Sequence, residues 1–304
     1  MLAVKLLCVQ KRRMALLTTA LAAVAALTAA PAPTSKSCPP LRVMTYNIRL
    51  ALESDGPNRW EARRDQFIGQ IRLMHPAILG MQEVVAAQKA DLERGLPGYR
   101  FLGVARDDGR SAGEFSSLAI DRAAFRVQSS GTFWLSPTPS VPSMGWDAAY
   151  RRIATWAHLV RRSDGRRILA LNTHLDNEGK QARLEGAREI LGWLQAHRTP
   201  GEAIVMTGDF NSEPGSPPYQ ELTSSALGLR DSRTISGSPP VGPEGTFNDF
   251  NPLPKQSQRI DYVLVGPRLQ VKDYAVLSWH GEGGRTASDH FPVVADIDAC
   301  EGSR

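Results

Sequence analysis

Apolar residues are spaced in two periods along this chain. Short apolar or β-branched runs fall at residues 42–47, 77–82, 115–120, 153–160, 167–174, 203–208, 260–265 and 292–297, and their length and composition predict strands. Elsewhere the period lengthens. Trp60, Phe67, Ile68, Ile71 and Met74 recur at helical spacing, with Asn58 as a candidate N-cap. Leu184, Ala187, Ile190, Leu191 and Leu194 do the same within a helix predicted over 178–197. Ser163-Asp164-Gly165 separates two strand-like runs, and Asp-Gly in that setting signals a hairpin. Hairpins mixed with helices argue against an all-parallel sheet and predict antiparallel-rich α/β layers.

Polar residues recur where these strands stop. Asn47 follows the first run and Glu83 the second; Asn172 and His174 close another. Asp209 and Asn211 follow Met206, Asp261 sits in Arg259-Ile-Asp-Tyr, and Asp289-His290 precedes the last run. Any one of them is an ordinary turn or cap residue. Together they place hard oxygen donors and imidazoles at the edges of apolar strands, a donor set that suits Mg²⁺, Mn²⁺ or Ca²⁺. The chain contains no HExxH, G-x-S-x-G, Walker A or GxGxxG motif, which removes zincin, serine hydrolase and nucleotide-cradle readings.

Charge adds less than it first suggests. The 304 residues carry a formal net charge of +5. Lys11, Arg12 and Arg13 precede an uncharged Ala- and Leu-rich run over 14–30, which reads as a secretory signal peptide within a leader of residues 1–32. The expectation is a secreted or periplasmic protein with no stable membrane insertion after cleavage. Lys5, Lys11, Arg12 and Arg13 lie in that leader, so 32 of the 36 basic residues remain against 31 acidic ones, a net of +1. Overall basicity therefore gives no argument for nucleic acid. The local pairs Arg151-Arg152 and Arg161-Arg162 could still grip phosphates, but such pairs are more often a solvated face. Residues 39–300 suit one domain, and a monomer is expected. Cys38 and Cys300, near the ends of the exported chain, suggest a disulfide.

Six motifs then occur in order over residues 43–294: Thr45-Tyr-Asn47-Ile, Gln82-Glu83-Val84, Asn172-Thr-His174-Leu, Gly208-Asp209-Phe-Asn211-Ser, Arg259-Ile-Asp261-Tyr and Ser288-Asp289-His290. In these the chain resembles the endonuclease/exonuclease/phosphatase superfamily, the DNase-I-like proteins. The resemblance implies a four-layer α/β/β/α sandwich with two mainly antiparallel sheets packed face to face. It also implies that the first and last strands lie side by side, which would bring Cys38 toward Cys300. It implies Glu83 as principal metal ligand, with Asn47 and Asp289 completing that site. Asp209 would align or deprotonate the attacking water, or hold a second metal, while Asn211 orients the phosphate. His290, paired with Asp261, would contact phosphoryl oxygens or assist the base. His174 would contact the phosphate or protonate the leaving oxygen.

Other positions have weaker assignments. Asp176 and Asn177 orient His174 or cap the following helix; Asn58, Trp60 and Arg63 are structural; Arg183 and residues 245–248 are candidates to face substrate. The superfamily's DNA-repair branch carries an Asp where this chain has Arg49. The expected activity is an exported, Mg²⁺-dependent phosphodiesterase, first a nuclease acting on DNA or RNA. The alternatives are a phosphoesterase for a phospholipid, inositol phosphate or sugar phosphate, and a non-catalytic binding domain on the same scaffold.

Overall fold

Alternation along the strands dictates how the layers stack. The structure is a computed structural model that describes residues 40–298. The leader, Cys38 and Cys300 lie outside the described residues.

One sheet contains β1 (Leu41–Asn47), β2 (Ile78–Val84), β3 (Tyr99–Leu102), β4 (Phe115–Asp121), β11 (Gln270–Val276) and β12 (Val293–Asp298) in the order β11-β12-β1-β2-β4-β3. The other contains β5 (Phe125–Trp134), β6 (Ile153–Arg161), β7 (Arg167–His174), β8 (Ala203–Asp209), β9 (Arg230–Asp231) and β10 (Asp261–Val265) in the order β5-β6-β7-β8-β10-β9. The helices are α1 (Trp60–Met74), α2 (Ala86–Gly95), α3 (Lys180–His197) and α4 (Pro217–Thr223). Each sheet has one parallel pair, β1–β2 and β7–β8, and its other pairs are antiparallel. β1 and β12 are antiparallel neighbours, with Leu41 opposite Ile297.

In β1, Val43 joins the core between the sheets, whereas Met44 and Tyr46 pack with Trp60, Phe67 and Ile71 of α1. In β7 and β8, Ile168, Ala170 and Val205 face between the sheets, while Leu169, Leu171 and Met206 pack with Ile190 and Leu194 of α3. Side chains two apart share a face. Both faces of each sheet are therefore apolar, and each needs a cover. Helices supply it on the outside and the partner sheet on the inside, giving the four expected layers.

Some expectations change. α1 begins at Trp60 with no side-chain cap, and Asn58 instead lies in a short 3₁₀ turn where its carbonyl accepts from Arg63 Nε at 2.8 Å. Arg152 and Arg161 are not solvated: they are 5% and 4% exposed and are paired with Asp176 and Asp164.

Candidate active site

The same alternation that builds the core builds the site. Along the inter-sheet face, β1 reads Val43, Thr45, Asn47; β7 reads Ile168, Ala170, Asn172, His174; β8 reads Val205, Thr207, Asp209. Each strand turns from apolar to hydroxyl or amide and then to a charged or titratable side chain. Register aligns the last step: Asn47 lies opposite Gln82, His174 opposite Asp209, and Asp209 opposite Asp261. The polar ends thus converge at one edge of the sandwich, joined there by Asp289 and His290 just ahead of β12.

The intermediate level is a fully buried hydrogen-bond layer. Gln82 Nε2 donates to Thr45 Oγ1 at 3.0 Å and to Asn172 Oδ1 at 2.7 Å. Asn172 Nδ2 donates to the carbonyls of Met81 and Ser117, and Thr207 Oγ1 donates to Asn172 Oδ1 at 3.0 Å. The sheets come so close that a Cβ on Gly80 would stand 2.0 Å from Thr207 Oγ1. These bonds link the sheets through paired amide donors, while Gln82 Oε1 is left without a partner among the described residues.

Three site residues sit in left-handed backbone without being glycine: Arg49 at φ 56°, Glu83 at φ 62° and Asn211 at φ 44°. Such conformations cost energy and persist where surrounding contacts hold them. At Glu83 the strand register slips between Met81 and Val84, breaking the alternation near the end of β2. Glu83 Oε1 then accepts from Asn47 Nδ2 at 3.0 Å and Oε2 from the Leu50 amide at 3.1 Å. Arg63 secures this region from α1. Its guanidinium donates to the carbonyls of Ile48, Arg49 and Ala287, tying the loop after β1 to the segment that carries Asp289.

The two histidines differ. His290 Nδ1 is 2.8 Å from Asp261 Oδ2, and its Nε2 is 3.8 Å from Asp209 Oδ2. Burial lowers its pKa, but Asp261, Asp209 and Asp289 overcome that and hold it well above the usual histidine value, which favours the imidazolium. His174 Nε2 is 3.0 Å from Asn211 Nδ2, which also donates to the Leu175 carbonyl. An amide nitrogen only donates, so Nε2 accepts and the proton resides on Nδ1. Burial, with Arg152, Arg106 and His290 nearby, holds His174 well below the usual value, leaving a neutral ring. Of the two roles implied for His174, a hydrogen-bond contact is the one this arrangement suits.

Asp209 accepts from the Asn211 amide at 2.9 Å and from Asn47 Nδ2 at 3.0 Å. Burial and the Asp261 carboxylate nevertheless push its pKa up to about 7. Burial, opposed by His290 and assisted by Glu83, also raises Asp289. Buried carboxylates held together against their own repulsion are what a hard cation relieves, and Glu83, Asn47 and Asp289 supply oxygens fit for one. Asp209, Asp261 and His290 also bring one atom each within 4.8 Å of one another. In that group the Asp261–His290 hydrogen bond already occupies Nδ1. Both groups lie at the same floor, and the oxygen set suits a hard divalent cation.

All eight expected residues meet here. Asp176 does not orient His174: its carboxylate accepts from Arg152 Nε at 3.1 Å and from the amides of Glu178 and Gly179. The helix α3 receives its cap from Asp147, whose carboxylate accepts from Gln181 and Ala182. Above the floor opens a pocket of about 660 Å³, with Arg106, Glu114, Tyr150 and Arg152 on one wall. None of these four has a place in the six motifs. The local sequence signals that mark them are few: an Arg pair and a Glu just before a strand.

Comparison with known proteins agrees with this architecture. Residues 44–290 match the Endonuclease/Exonuclease/phosphatase family. A family member of that name from Bacteroides thetaiotaomicron is 35% identical with a TM-score of 0.80, covering 85% of this chain and 97% of its own. A mannosyl-6-phosphatase of Bacteroides thetaiotaomicron is also 35% identical with a TM-score of 0.80, covering 85% of this chain and 99% of its own. The human Nocturnin catalytic domain, 22% identical with a TM-score of 0.67 and covering 86% and 94%, shares the fold. An uncharacterised protein of Acanthamoeba polyphaga mimivirus is 25% identical over 162 residues, and the chain spans 60% of that relative's length. With its motifs, layers and converging strand ends, the chain belongs to the Endonuclease/Exonuclease/phosphatase family of phosphoester hydrolases.

Proposed function

We propose that this chain is an exported, divalent-metal-dependent phosphatase that releases phosphate from a small sugar phosphate. The observation that carries this reading is the pocket. At about 660 Å³ it lies within the roughly 300–1,000 Å³ typical of small-molecule sites, with its charged floor at the bottom. The mannosyl-6-phosphatase of Bacteroides supports it, being 35% identical along nearly its whole length. The near-neutral charge beyond the leader supports it as well, since a nucleic-acid enzyme draws much of its affinity from phosphate neutralisation. The nuclease expected first from the motifs becomes the alternative.

A divalent cation held by Glu83, Asn47 and Asp289 would neutralise charge gathering on the phosphoryl oxygens. The remaining work belongs to the chain. Asp209, its pKa near 7, is suited to take a proton from water aligned on phosphorus. The imidazolium of His290, fixed by Asp261, offers Nε2–H to a phosphoryl oxygen. His174 offers Nδ1–H as a neutral donor, and Asn211 holds the His174 ring.

Phosphate release from mannose 6-phosphate, inositol phosphates, sphingomyelin, DNA and RNA should be measured with Mg²⁺ and with EDTA. The expected result is metal-dependent release from sugar phosphates at the highest kcat/KM. Cleavage of DNA or RNA with no release from any sugar phosphate would replace this reading with the nuclease. The amino-terminal sequence of chain recovered from the periplasm or medium tests export; a retained leader would end that part.

A further inference from the structure

One wall of the pocket is not used by the chemistry just described. Arg106 and Glu114 flank the site in sequence between β3 and β4, and Arg152 precedes β6. Arg106 Nη1 donates to Glu114 Oε2 at 2.8 Å. The Arg106 guanidinium lies 4.8 Å from the Tyr150 ring centre, and that of Arg152 lies 5.5 Å from the same ring. Arg152 is anchored in turn on Asp176 and on Asn177, whose Oδ1 accepts at 2.7 Å. The backbone beneath Arg106 is fixed too: its amide donates to the Glu114 carbonyl, and its carbonyl accepts from Trp134 Nε1 at 2.7 Å.

This wall is built as for binding yet incompletely satisfied. Arg106 Nε and Arg152 Nη1 are buried N–H donors with no hydrogen-bond partner among the described residues. Buried donors without acceptors are costly, and both belong to the wall that carries the Glu114 carboxylate. The wall carries both signs of charge. Arg106 and Arg152 face the pocket beside Glu114, which Arg106 pairs, and Asp176 backs Arg152 from behind. A second phosphate would meet the Glu114 carboxylate as well as the guanidinium groups. A neutral group rich in hydroxyls fits both, since each hydroxyl accepts from a guanidinium and donates to a carboxylate.

We propose that Arg106 and Glu114, steadied by Tyr150 and Arg152, form the subsite that reads the hydroxyl groups of the departing sugar. This rests on the sugar-phosphate reading above and adds which residues make the enzyme prefer a sugar to any other alkyl phosphate. A site built to hydrogen-bond a hydroxyl discriminates strongly against an analogue that lacks it, because its own buried groups are left unpaired.

The test compares mannose 6-phosphate with cyclohexylmethyl phosphate, a six-membered ring on the same ester linkage without hydroxyls, both with Mg²⁺. Wild-type protein should prefer the sugar by about a hundredfold in kcat/KM. Glu114→Gln and Arg106→Gln should each reduce that preference at least tenfold, with the loss in KM for the sugar phosphate. Free mannose should inhibit turnover of cyclohexylmethyl phosphate competitively, and each variant should weaken that inhibition. The wild-type measurements need no variant and stand if either fails to fold. Equal use of the two esters by wild type, or an unchanged preference in folded variants, would overturn the subsite alone. Stronger inhibition by a hexose bisphosphate than by the monophosphate would also overturn it, in favour of a second anion site. Turnover of neither ester alongside cleavage of another phosphoester would remove the sugar-phosphate reading itself.

Discussion

At one end of the space between the sheets, Val43, Ile78, Ile168 and Val205 form a dry contact. A few residues further along the same strands, the same face presents Asn47, His174 and Asp209. Along β1, β7 and β8 the strand pairing and burial continue from one end to the other while the side chains change. The site is therefore the last stratum of the core and not a loop laid over it. Its groups inherit the rigidity of two paired sheets, which suits electrostatic stabilisation that must not reorganise during reaction. The contrast also shows the cost. Carboxylates at the polar end are held where burial disfavours their charge, whereas the apolar end stabilises without opposition.

Asp209→Asn should break this contrast most completely. Activity should fall by about a thousandfold or more, while metal-free protein becomes more stable at alkaline pH. The sign follows from the shift. The folded carboxyl holds its proton up to about 7 against 3.8 ordinarily, so its contribution to stability is lost as pH rises across that window. His290, raised above its ordinary 6.5, contributes below that value and loses its contribution as pH climbs through the folded pKa. Melting temperature in EDTA should fall from about pH 5 to pH 8 in wild type and less steeply in the variant. Parallel slopes would mean that the proton sits elsewhere.

Gly80→Ala tests the join between the two ends. Its Cβ would meet Thr207 Oγ1 at 2.0 Å and Asn172 Oδ1 at 2.5 Å. Forcing the sheets apart should cost about 1–3 kcal/mol and reduce kcat well over tenfold; normal activity at reduced melting temperature would separate the layer from the site. Next, Arg63→Met should cost about 3 kcal/mol, because four carbonyls lose a donor. Its sharper readout is weaker Mg²⁺ binding by calorimetry, because the loop after β1 and the segment bearing Asp289 lose their tie. Smallest in its effect on chemistry is Val43→Ala, at the apolar end. It should cost about 1–3 kcal/mol by chemical denaturation with kcat within twofold of wild type.

Strands that alternate or run apolar, and helices with a stripe, were legible because burial on a defined face leaves a period in the sequence. β5 left none: its middle residues, Gln128, Ser129 and Ser130, are partly or fully exposed on an edge strand. α2 buries only Gln88 and Leu92, too little for a stripe. The eight motif residues are readable because each lies at or within a few residues of a strand end. Arg106, Glu114, Tyr150 and Arg152 are not. They lie in or beside connecting segments and meet only through the pairing of distant strands, which no local period records. Arg152 in particular reads as a surface cation until Asp176 is placed beneath it.

The position of β1 has a consequence for folding. It is the first strand made, yet it sits between β2 and β12, with Leu41 beside Ile297. Until the last strand arrives, β1 presents an open edge, and the site lacks Asp289 and His290 altogether. Contacts so distant in sequence close late and slowly. A nascent chain lacking β12 would thus be both inactive and prone to pair its bare edge with a neighbour, and catalytic competence should emerge only as the final segment docks.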